Sequence, residues 1–376
     1  MRLLFTSTAG DGHLLPLLPL AEAFAARGHD VAVAAPENHR ERIGRLGLRF
    51  ERVGPTLDEL KPLLDVHRAT MERLPVGERR PAGFTGRFAE IEGPRRVESL
   101  MALVEAWQPA LVVHEPADLA APIAAAAAGV ATVNHSFGRP IPDDALRQAA
   151  AAIAPLWHAA GVEPDPFAGA YRGSYVDICP SSLRADVPPA PAPTFPIRPA
   201  EAANGERAHG GRPRVYSTLG TIFNDLATFR LLLEAFDGAA CDVVMTIGRN
   251  LWPHELDPVP SNVTVAQYIP QAEILGSCEA VVAHAGSGSV LAALAHGRPL
   301  VLLPRGADQF ENGAVCSDIG VAVTIMPADL TAARVRTALE QVLADASYAE
   351  AARSVAAEIA TMPTAASVAD ELAAQR

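Results

Sequence analysis

Residues 1–35, MRLLFTSTAGDGHLLPLLPLAEAFAARGHDVAVAA, place a helix between two apolar segments. Leu3–Ser7 is an apolar run of strand length, and a glycine-bearing loop follows it. Leu14–Arg27 has the apolar spacing of a helix, Gly28 ends that helix, and Val31–Ala35 has the composition of a second strand. A strand, a helix and a further strand in this order open a parallel sheet. We therefore predict an α/β fold.

A second series of strands and helices begins after residues 188–213, PPAPAPTFPIRPAEAANGERAHGGRP. Proline, alanine and glycine dominate this stretch, which predicts a semi-rigid linker and a hinge region. A chain of 376 residues is long enough for two domains. We predict two Rossmann-like, doubly wound domains facing across a cleft, at 1–187 and 214–360. A last helix over 361–376 could cross back to the N-terminal domain.

Residues 55–96 interrupt the first predicted domain with prolines, glycines and scattered charges. Their apolar pattern is weaker than that of the flanking segments. Long excursions from α/β domains are commonly lids or mobile loops, and we expect one here.

Composition argues against several classes of function. The chain has 31 basic and 43 acidic residues, a net charge of −12, which is the wrong sign for a general nucleic-acid binder. Its four cysteines are far apart and form no C-x-x-C pair, as expected of reduced thiols in a cytoplasmic protein without a metal site. The start of the chain lacks a clean signal-peptide core, and alanine-rich residues 120–133 are too short for a membrane helix. We therefore expect a cytoplasmic protein with no membrane insertion.

The first candidate for chemistry is Thr8–His13, TAGDGH, between a predicted strand and a predicted helix. This position is the carboxyl edge of a parallel sheet, where α/β proteins bind ligands. The start of a helix disfavours the imidazolium form, which suits His13 as a neutral base. A surface or capping histidine would give the same pattern, so both interpretations stay open.

The second candidate is His114–Asp118, HEPAD, at the end of a later strand of the same sheet. Either Glu115 or Asp118 could accept a hydrogen bond from His13 and stabilise its protonated form. The alternative is that Asp118 caps a helix and Glu115 is solvated.

The third candidate is His284–Ser289, HAGSGS, again between a strand and a helix. Backbone N–H groups and hydroxyls at such a loop can surround a pyrophosphate. A plain tight turn would look the same, so the surrounding sequence has to distinguish the two.

That surrounding sequence, Tyr268–Asn312, reads YIPQAEIL…HAGSGSVLAALAHGRPLVLLPRGADQFENG. It resembles the nucleotide-sugar signature of family-one, GT-B-fold glycosyltransferases, especially actinobacterial enzymes that decorate natural products. Gly12-His13 and Arg27-Gly28-His29 resemble the same family. The resemblance implies transfer of a sugar from a nucleotide diphosphate to a small hydrophobic or aromatic acceptor. It implies no cofactor besides this nucleotide-sugar co-substrate, and no metal.

The resemblance also implies roles for single residues. His13 matches the catalytic base, and Glu115 stands where many members have a supporting aspartate, with Asp118 as the fallback. Tyr268 to Gln271 would lie beside the nucleobase, and Asp308 and Gln309 would bond the sugar hydroxyls. Arg249 could contact the donor or be a surface arginine. The residues implied in donor binding are Gly220, Thr221, Tyr268, Ile269, Gln271, His284, Gly286, Ser287, Gly288, Ser289, Asp308 and Gln309.

One departure from the signature bears on the nucleotide. Many enzymes that use UDP-sugars carry a glutamate eight residues after the signature histidine, where it bonds the ribose hydroxyls. Eight residues after His284, this chain has Ala292. We therefore expect a preference for a dTDP-activated sugar, such as a deoxysugar, unless a neighbouring side chain or a water makes the ribose contact.

The function expected from these observations is an inverting, metal-independent glycosyl transfer. Two alternatives remain open: a nucleotide-sugar epimerase of the same fold, and a non-catalytic helper of a partner glycosyltransferase. The oligomeric state is open as well, with a homodimer as one candidate.

Overall fold

The computed structural model describes residues 1–199, 211–220, 225–248 and 250–375. The chain divides into two compact units. The N-terminal unit comprises Met1–Ile178, Asp186–Ile197 and Pro363–Arg376, and the C-terminal unit comprises Cys179–Ala185 and Arg198–Met362.

Each unit is built on one sheet, and every strand pairing within the described residues is parallel. The strands of the N-terminal unit are β1 Arg2–Thr6, β2 Asp30–Ala35, β3 Arg49–Arg52, β4 Leu111–His114, β5 Ala131–His135, β6 Ser174–Asp177 and β7 Thr194–Pro196. Those of the C-terminal unit are β8 Arg214–Thr218, β9 Asp242–Thr246, β10 Val263–Ala266, β11 Ala280–Ala283, β12 Leu300–Leu302 and β13 Ala322–Thr324.

The strand orders are β3-β2-β1-β4-β5-β6-β7 and β10-β9-β8-β11-β12-β13. Both sheets therefore reverse direction of winding between their first and fourth strands, which is the doubly wound pattern. Ligands of such sheets bind outside the carboxyl ends of the strands at this switch point. These switch points lie at the ends of β1 and β4 in one unit and at the ends of β8 and β11 in the other.

Helices flank both sheets. They are α1 Asp11–Leu14, α2 Leu18–Ala26, α3 Arg40–Arg45, α4 Leu57–Met71, α5 Val76–Phe84, α6 Val97–Trp107, α7 Ala120–Ala127, α8 Asp143–Ala159, α9 Leu226–Phe236, α10 Gln271–Ile274, α11 Ser287–Ala295, α12 Gln309–Asp318, α13 Ala332–Ala344, α14 Ala346–Thr361 and α15 Ala365–Ala374. The cores lie where apolar strand residues meet helix faces. In the N-terminal unit, Leu4 and Val112 pack with Leu100 of α6, and in the C-terminal unit Phe229 and Phe236 of α9 pack over the sheet.

The helix predicted over Leu14–Arg27 is interrupted. A 3-10 turn at Leu15–Leu17 separates α1 from α2, and Pro16 and Pro19 stand in the first turns of the two segments that follow α1. A proline has no N–H to donate to the preceding turn, so it is tolerated at a helix start and disfavoured inside one.

Residues 55–96 are largely helical and do not form the irregular loop that their composition suggested, whereas a role as a lid stays a prediction. The segment contains α4, α5 and a π-helical turn at Thr85–Glu92. Thr56 and Glu59 form a capping box that starts α4. Phe88 of the π-helical turn is buried against α8, so this turn is part of the core.

The residues predicted as a linker differ in part from the expectation, because Thr194–Pro196 forms β7 at the edge of the first sheet. Proline is acceptable on an edge strand, where its missing N–H leaves no ladder bond unmade. The last helix, α15, packs on α2, and its Asp370 accepts hydrogen bonds from Arg27.

Candidate functional site

The first switch point brings together residues far apart in the sequence. Strands β1 and β4 pair directly, with Thr6 opposite His114, so the loops after both strands leave the sheet side by side. His13 lies on α1 after β1, and Glu115 follows β4. The sheet topology alone therefore places the predicted base and its predicted carboxylate partner at one edge.

His13 and Glu115 are in contact. The Nδ1 atom of His13 lies 3.1 Å from Oε2 of Glu115. Since an ionised carboxylate can only accept, Nδ1–H is the donor, and in the neutral imidazole Nε2 then carries a lone pair. The Glu115 side chain is fully buried, while 14% of the His13 side chain is exposed. The pair thus presents one basic nitrogen from an otherwise buried site.

Glu115 is held as a carboxylate despite its burial. Burial by itself raises the pKa of Glu115, but the charge and hydrogen bond of His13 and hydrogen bonds from Thr8 and Ala117 outweigh it. The result is a pKa of about 2, so the group is ionised at neutral pH. The fixed negative charge of Glu115 beside Nδ1–H stabilises the imidazolium that forms when Nε2 takes a proton.

The His13 ring is surrounded by small and aromatic groups. A Cβ on Gly10 would lie 2.6 Å from Cδ2 of His13, so the loop needs glycine there to admit the imidazole. The ring of Phe137 lies edge-on to His13 at a centroid distance of 4.7 Å, and that of Phe88 is tilted at 5.4 Å. These rings give the basic nitrogen an apolar surround.

Asp118, the fallback partner, does not serve His13. Its two carboxylate oxygens accept from Nε and Nη2 of Arg96, at 3.2 and 2.7 Å, and both side chains are buried. Arg96 also donates from Nη1 to the carbonyl oxygen of Val53 at 3.0 Å. Asp118 therefore neutralises a buried arginine, and Glu115 alone of the two carboxylates faces the imidazole.

The second switch point carries the predicted diphosphate loop. His284 follows β11, and the loop leads into α11 at Ser287. A Cβ on Gly220 would come within 2.6 Å of the His284 ring, and one on Gly286 within 2.4 Å. Both predicted glycines thus make room for the same imidazole.

His284 is a neutral imidazole at physiological pH. Burial lowers its pKa to about 4, against the opposing effects of Asp308 and of a hydrogen bond with the Thr218 backbone. Its Nδ1 atom is buried and has no hydrogen-bond partner among the described residues. A buried nitrogen without a hydrogen-bond partner costs free energy unless a ligand or a water binds it. His284 stands shortly before the first residue of α11, Ser287.

Asp308 is tied to the same loop. Its Oδ2 atom accepts from Oγ of Ser287 at 2.6 Å and from Nδ2 of Asn312 at 2.9 Å. Nδ2 of Asn312 also donates to the carbonyl oxygen of Ala285 at 2.9 Å. Asn312 thus joins the carboxylate predicted to bind the sugar to the predicted diphosphate loop. It was not among the predicted site residues, although it lies one helical turn after Asp308.

Gln309 holds the loop before Asp308 in shape. Its Oε1 atom accepts from the backbone N–H groups of Arg305 and Gly306, at 2.8 and 3.2 Å, and the residue is buried. This carbonyl oxygen therefore shapes the loop that carries Asp308, and the contact of Gln309 with a sugar hydroxyl stays a prediction.

Both loops contain an alanine with left-handed backbone. Ala285 has φ +64° between His284 and Gly286, and Ala307 has φ +54° immediately before Asp308. This conformation costs a non-glycine residue roughly 1–2 kcal/mol. Strained backbone of this kind is more common at ligand-binding sites than elsewhere. Its presence in both loops agrees with their selection as candidate binding loops.

The predicted nucleobase segment lies beside this loop. Nε2 of Gln271 donates to Oγ of Ser289 at 3.2 Å, Ile269 is half-buried, and Tyr268 is 50% exposed. Ser289 is buried and Gly288 is exposed. Thr221 and Arg249 lie outside the described residues.

Two further observations concern the whole described part of the chain. It contains no group of three or more His, Cys, Asp or Glu side chains placed to hold a metal ion. Across the same residues, no helix has the length and apolar character needed to cross a membrane.

Comparison with known proteins identifies the family. Residues 22–190 match the model of the N-terminal domain of erythromycin biosynthesis protein CIII-like proteins, and residues 230–375 match the model of their C-terminal domain. The L-demethylnoviosyl transferase of Streptomyces niveus is 34% identical, over 100% of this chain and 98% of the relative. The elloramycin glycosyltransferase ElmGT of Streptomyces olivaceus is 30% identical, over 99% and 97%.

A solved structure agrees with these matches. The glycosyltransferase SsfS6 of Streptomyces sp. SF2575, crystallised with thymidine diphosphate, superposes with a TM-score of 0.81 at 27% identity, over 100% of both chains. The resemblance inferred from Tyr268–Asn312 is therefore confirmed, as is the prediction of two doubly wound α/β sheets. This chain belongs to the erythromycin biosynthesis protein CIII-like family and is a glycosyltransferase of the GT-B fold.

Proposed function

We propose that this glycosyltransferase moves a sugar, a deoxysugar on dTDP, with inversion onto a hydroxyl of a hydrophobic or aromatic natural-product acceptor. The observation that carries the proposal is the His13–Glu115 pair, in which Nδ1 of the imidazole is held by a buried carboxylate. A hydroxyl nucleophile at neutral pH needs a positioned base. Nε2 of His13 has no hydrogen-bond partner among the described residues, so it can accept the proton of an acceptor hydroxyl.

The proposed reaction is a single displacement. Nε2 of His13 takes the acceptor proton while the acceptor oxygen forms its bond to the anomeric carbon. The bond from that carbon to the diphosphate oxygen breaks, and the nucleoside diphosphate leaves with the bonding electrons. One displacement at one carbon inverts its configuration, and Glu115 balances the charge that His13 acquires.

The second switch point supports the leaving-group role. Negative charge grows on the diphosphate as the bond breaks. The first N–H groups of α11, which begins at Ser287 within the loop His284–Ser289, have no partner inside the helix and can donate to that charge. Nδ1 of His284, which has no hydrogen-bond partner among the described residues, adds one donor in the tautomer that carries the proton on this nitrogen. Donors fixed in place before the reaction stabilise the developing charge without reorganisation.

The aromatic surround of His13 supports the acceptor class. Phe137 is half-buried and Phe88 is buried, and both rings touch the imidazole. An acceptor hydroxyl that reaches Nε2 therefore brings its neighbouring atoms against aromatic faces. Flat, apolar molecules gain most from such contacts.

The reaction can be tested directly by mass spectrometry. The protein is incubated in excess EDTA with a panel of dTDP- and UDP-sugars and polyphenolic or polyketide acceptors. We expect the acceptor mass to rise by one sugar residue, with equimolar release of nucleoside diphosphate. Activity lost in EDTA and restored by Mg²⁺ would contradict metal independence, which rests on a diphosphate loop with its own donors.

The same incubation separates the alternatives. A changed sugar configuration without any acceptor would favour the epimerase. Tight nucleotide-sugar binding with no product across the panel would favour the non-catalytic helper.

A second prediction concerns the nucleotide. Ala292 is half-buried on α11 and has no group that could accept a hydrogen bond from a ribose hydroxyl. A buried hydroxyl left unpaired costs about 1–3 kcal/mol, so dTDP, which lacks the 2′-hydroxyl, should bind about tenfold more tightly than UDP. Calorimetric titration with the two nucleotides measures the ratio.

The matched variant is Ala292→Glu, which restores a carboxylate at that helix position. We expect it to narrow or reverse the preference for dTDP by improving UDP binding. Equal affinities of the native protein for dTDP and UDP would remove the argument.

A further inference from the structure

Thr8 is a buried residue of the loop that joins β1 to α1. It lies two residues after the end of β1, and Glu115 lies one residue after the end of β4. The pairing of Thr6 with His114 brings the two residues together although they are 107 residues apart in the sequence.

Thr8 makes two hydrogen bonds to one oxygen of Glu115. Its backbone N–H donates to Oε1 at 3.1 Å and its hydroxyl donates to the same atom at 2.7 Å. The other oxygen, Oε2, accepts from the backbone N–H of Ala117 at 2.6 Å and faces Nδ1 of His13. Each carboxylate oxygen therefore has two donors, and only two of the four come from side chains.

The side-chain hydroxyl has a specific geometric effect. A glutamate has three side-chain torsions, so its carboxylate can rotate unless several bonds fix it. The two bonds to Oε1 anchor one oxygen, which leaves Oε2 directed at the imidazole. Without the hydroxyl, one backbone N–H would have to fix Oε1 alone.

A purely structural role accounts less well for this arrangement. Strands β1 and β4 are already joined by a continuous ladder from Leu3 to Thr6. A side-chain bond beyond the end of that ladder adds little to the pairing of the strands. The Thr8 hydroxyl, however, donates to Glu115, and this carboxylate contacts His13.

We propose that Thr8 is a positioning residue for the transfer reaction, acting through Glu115 to orient and charge-stabilise His13. The proposal rests on the function proposed above. Thr8 does not touch the substrates in this scheme, so its loss should lower the rate of the chemical step and leave substrate binding nearly unchanged.

The test compares replacements of Thr8 that differ in the hydroxyl. Thr8→Val keeps the shape and removes the donor, and we expect a loss of about tenfold or more in kcat with little change in either KM, since hydrogen bonds to charged groups are the stronger class. Thr8→Ser keeps the donor and should restore most of kcat. Thr8→Ala removes the same hydroxyl with no added methyl, and it replaces the valine variant if that one does not fold.

Thr6→Val is the matched control. Thr6 is a buried threonine at the end of β1 whose hydroxyl has no hydrogen-bond partner among the described residues. The same chemical change there should leave kcat and KM near native. If Thr6→Val lowered kcat as much as Thr8→Val does, replacement of any threonine by valine near the end of β1 would be harmful. That result would overturn the proposal.

A double-mutant cycle with Glu115→Gln separates the mechanism from a general effect on folding. If Thr8 acts through Glu115, adding Thr8→Val to Glu115→Gln should lower kcat little further. Fully additive losses, or native kcat in Thr8→Val alongside an impaired Glu115→Gln, would overturn the role of Thr8 only. Native kcat in Glu115→Gln itself would instead overturn the catalytic role of the His13–Glu115 pair, whereas the absence of any transfer by the native protein would overturn the proposed function.

Discussion

His13→Ala is expected to lower kcat by about 10²–10⁴-fold, the usual contribution of a general base. The variant loses the one nitrogen that Glu115 orients toward the acceptor, while the donor loop lies in the other unit and keeps its contacts. Steady-state transfer assays should therefore show a collapse of kcat. Calorimetry with dTDP should show native affinity.

His158→Ala supplies the control for this experiment. His158 is an exposed histidine near the end of α8 in the same unit, and its loss should change neither quantity. Near-native turnover of His13→Ala on a hydroxyl acceptor would rule out His13 as the base. A loss of dTDP affinity equal to the loss of rate would point to misfolding in place of lost chemistry.

Gly286→Ala is expected to weaken dTDP binding by about 10–100-fold, the range of one lost hydrogen bond to a charged group. The new Cβ would lie 2.4 Å from Nε2 of His284, closer than any carbon contact allows, so the imidazole must move away. A displaced ring no longer presents its nitrogen to the phosphate. His284→Ala should therefore produce a similar loss, and the two changes combined should not add fully.

Gly288→Ala tests whether the effect comes from the imidazole. A Cβ on Gly288 meets no protein atom within 4 Å, and alanine favours the helix in which Gly288 lies. We expect this variant to fold at least as stably as the native protein. If it weakened dTDP binding as much as Gly286→Ala does, filling of the loop, and not displacement of His284, would be the cause.

The places of His13, Glu115 and His284 could be predicted because the signal is local. Apolar runs of strand length end abruptly in polar or glycine-rich residues at each of these positions. In a parallel sheet the carboxyl ends of neighbouring strands share an edge, so the residues that follow two such runs meet there. Strand order could not be obtained in this way, but adjacency of the first and fourth strands is the common solution for this fold.

The choice between Glu115 and Asp118 could not be predicted. Both carboxylates follow β4, and what separates them is Arg96, which lies 22 residues before Asp118 and reaches it only in the folded chain. The inward orientation of Gln309 depends likewise on the path of the loop at Arg305. Side-chain partners of this kind are set by tertiary packing and leave no periodic trace in the sequence.

The helices within residues 55–96 were not predicted, and the reason is different. Its helices contain Pro62 and Pro81, and few of their side chains are buried. An apolar stripe is the main sign of a helix in a sequence, so a helix with a sparse stripe and internal prolines is easily taken for a loop.

The packing of α15 on α2 has a practical consequence for hybrid enzymes. Apart from the short segment Cys179–Ala185, exchange of the C-terminal unit between relatives requires one junction near residue 198 and another near residue 362, because the chain from Pro363 onward belongs to the N-terminal unit. A hybrid joined at the first point alone would bring in a foreign terminal helix. Arg27 would then meet whatever residue that relative carries in place of Asp370, and the N-terminal unit would lose a helix matched to its own surface.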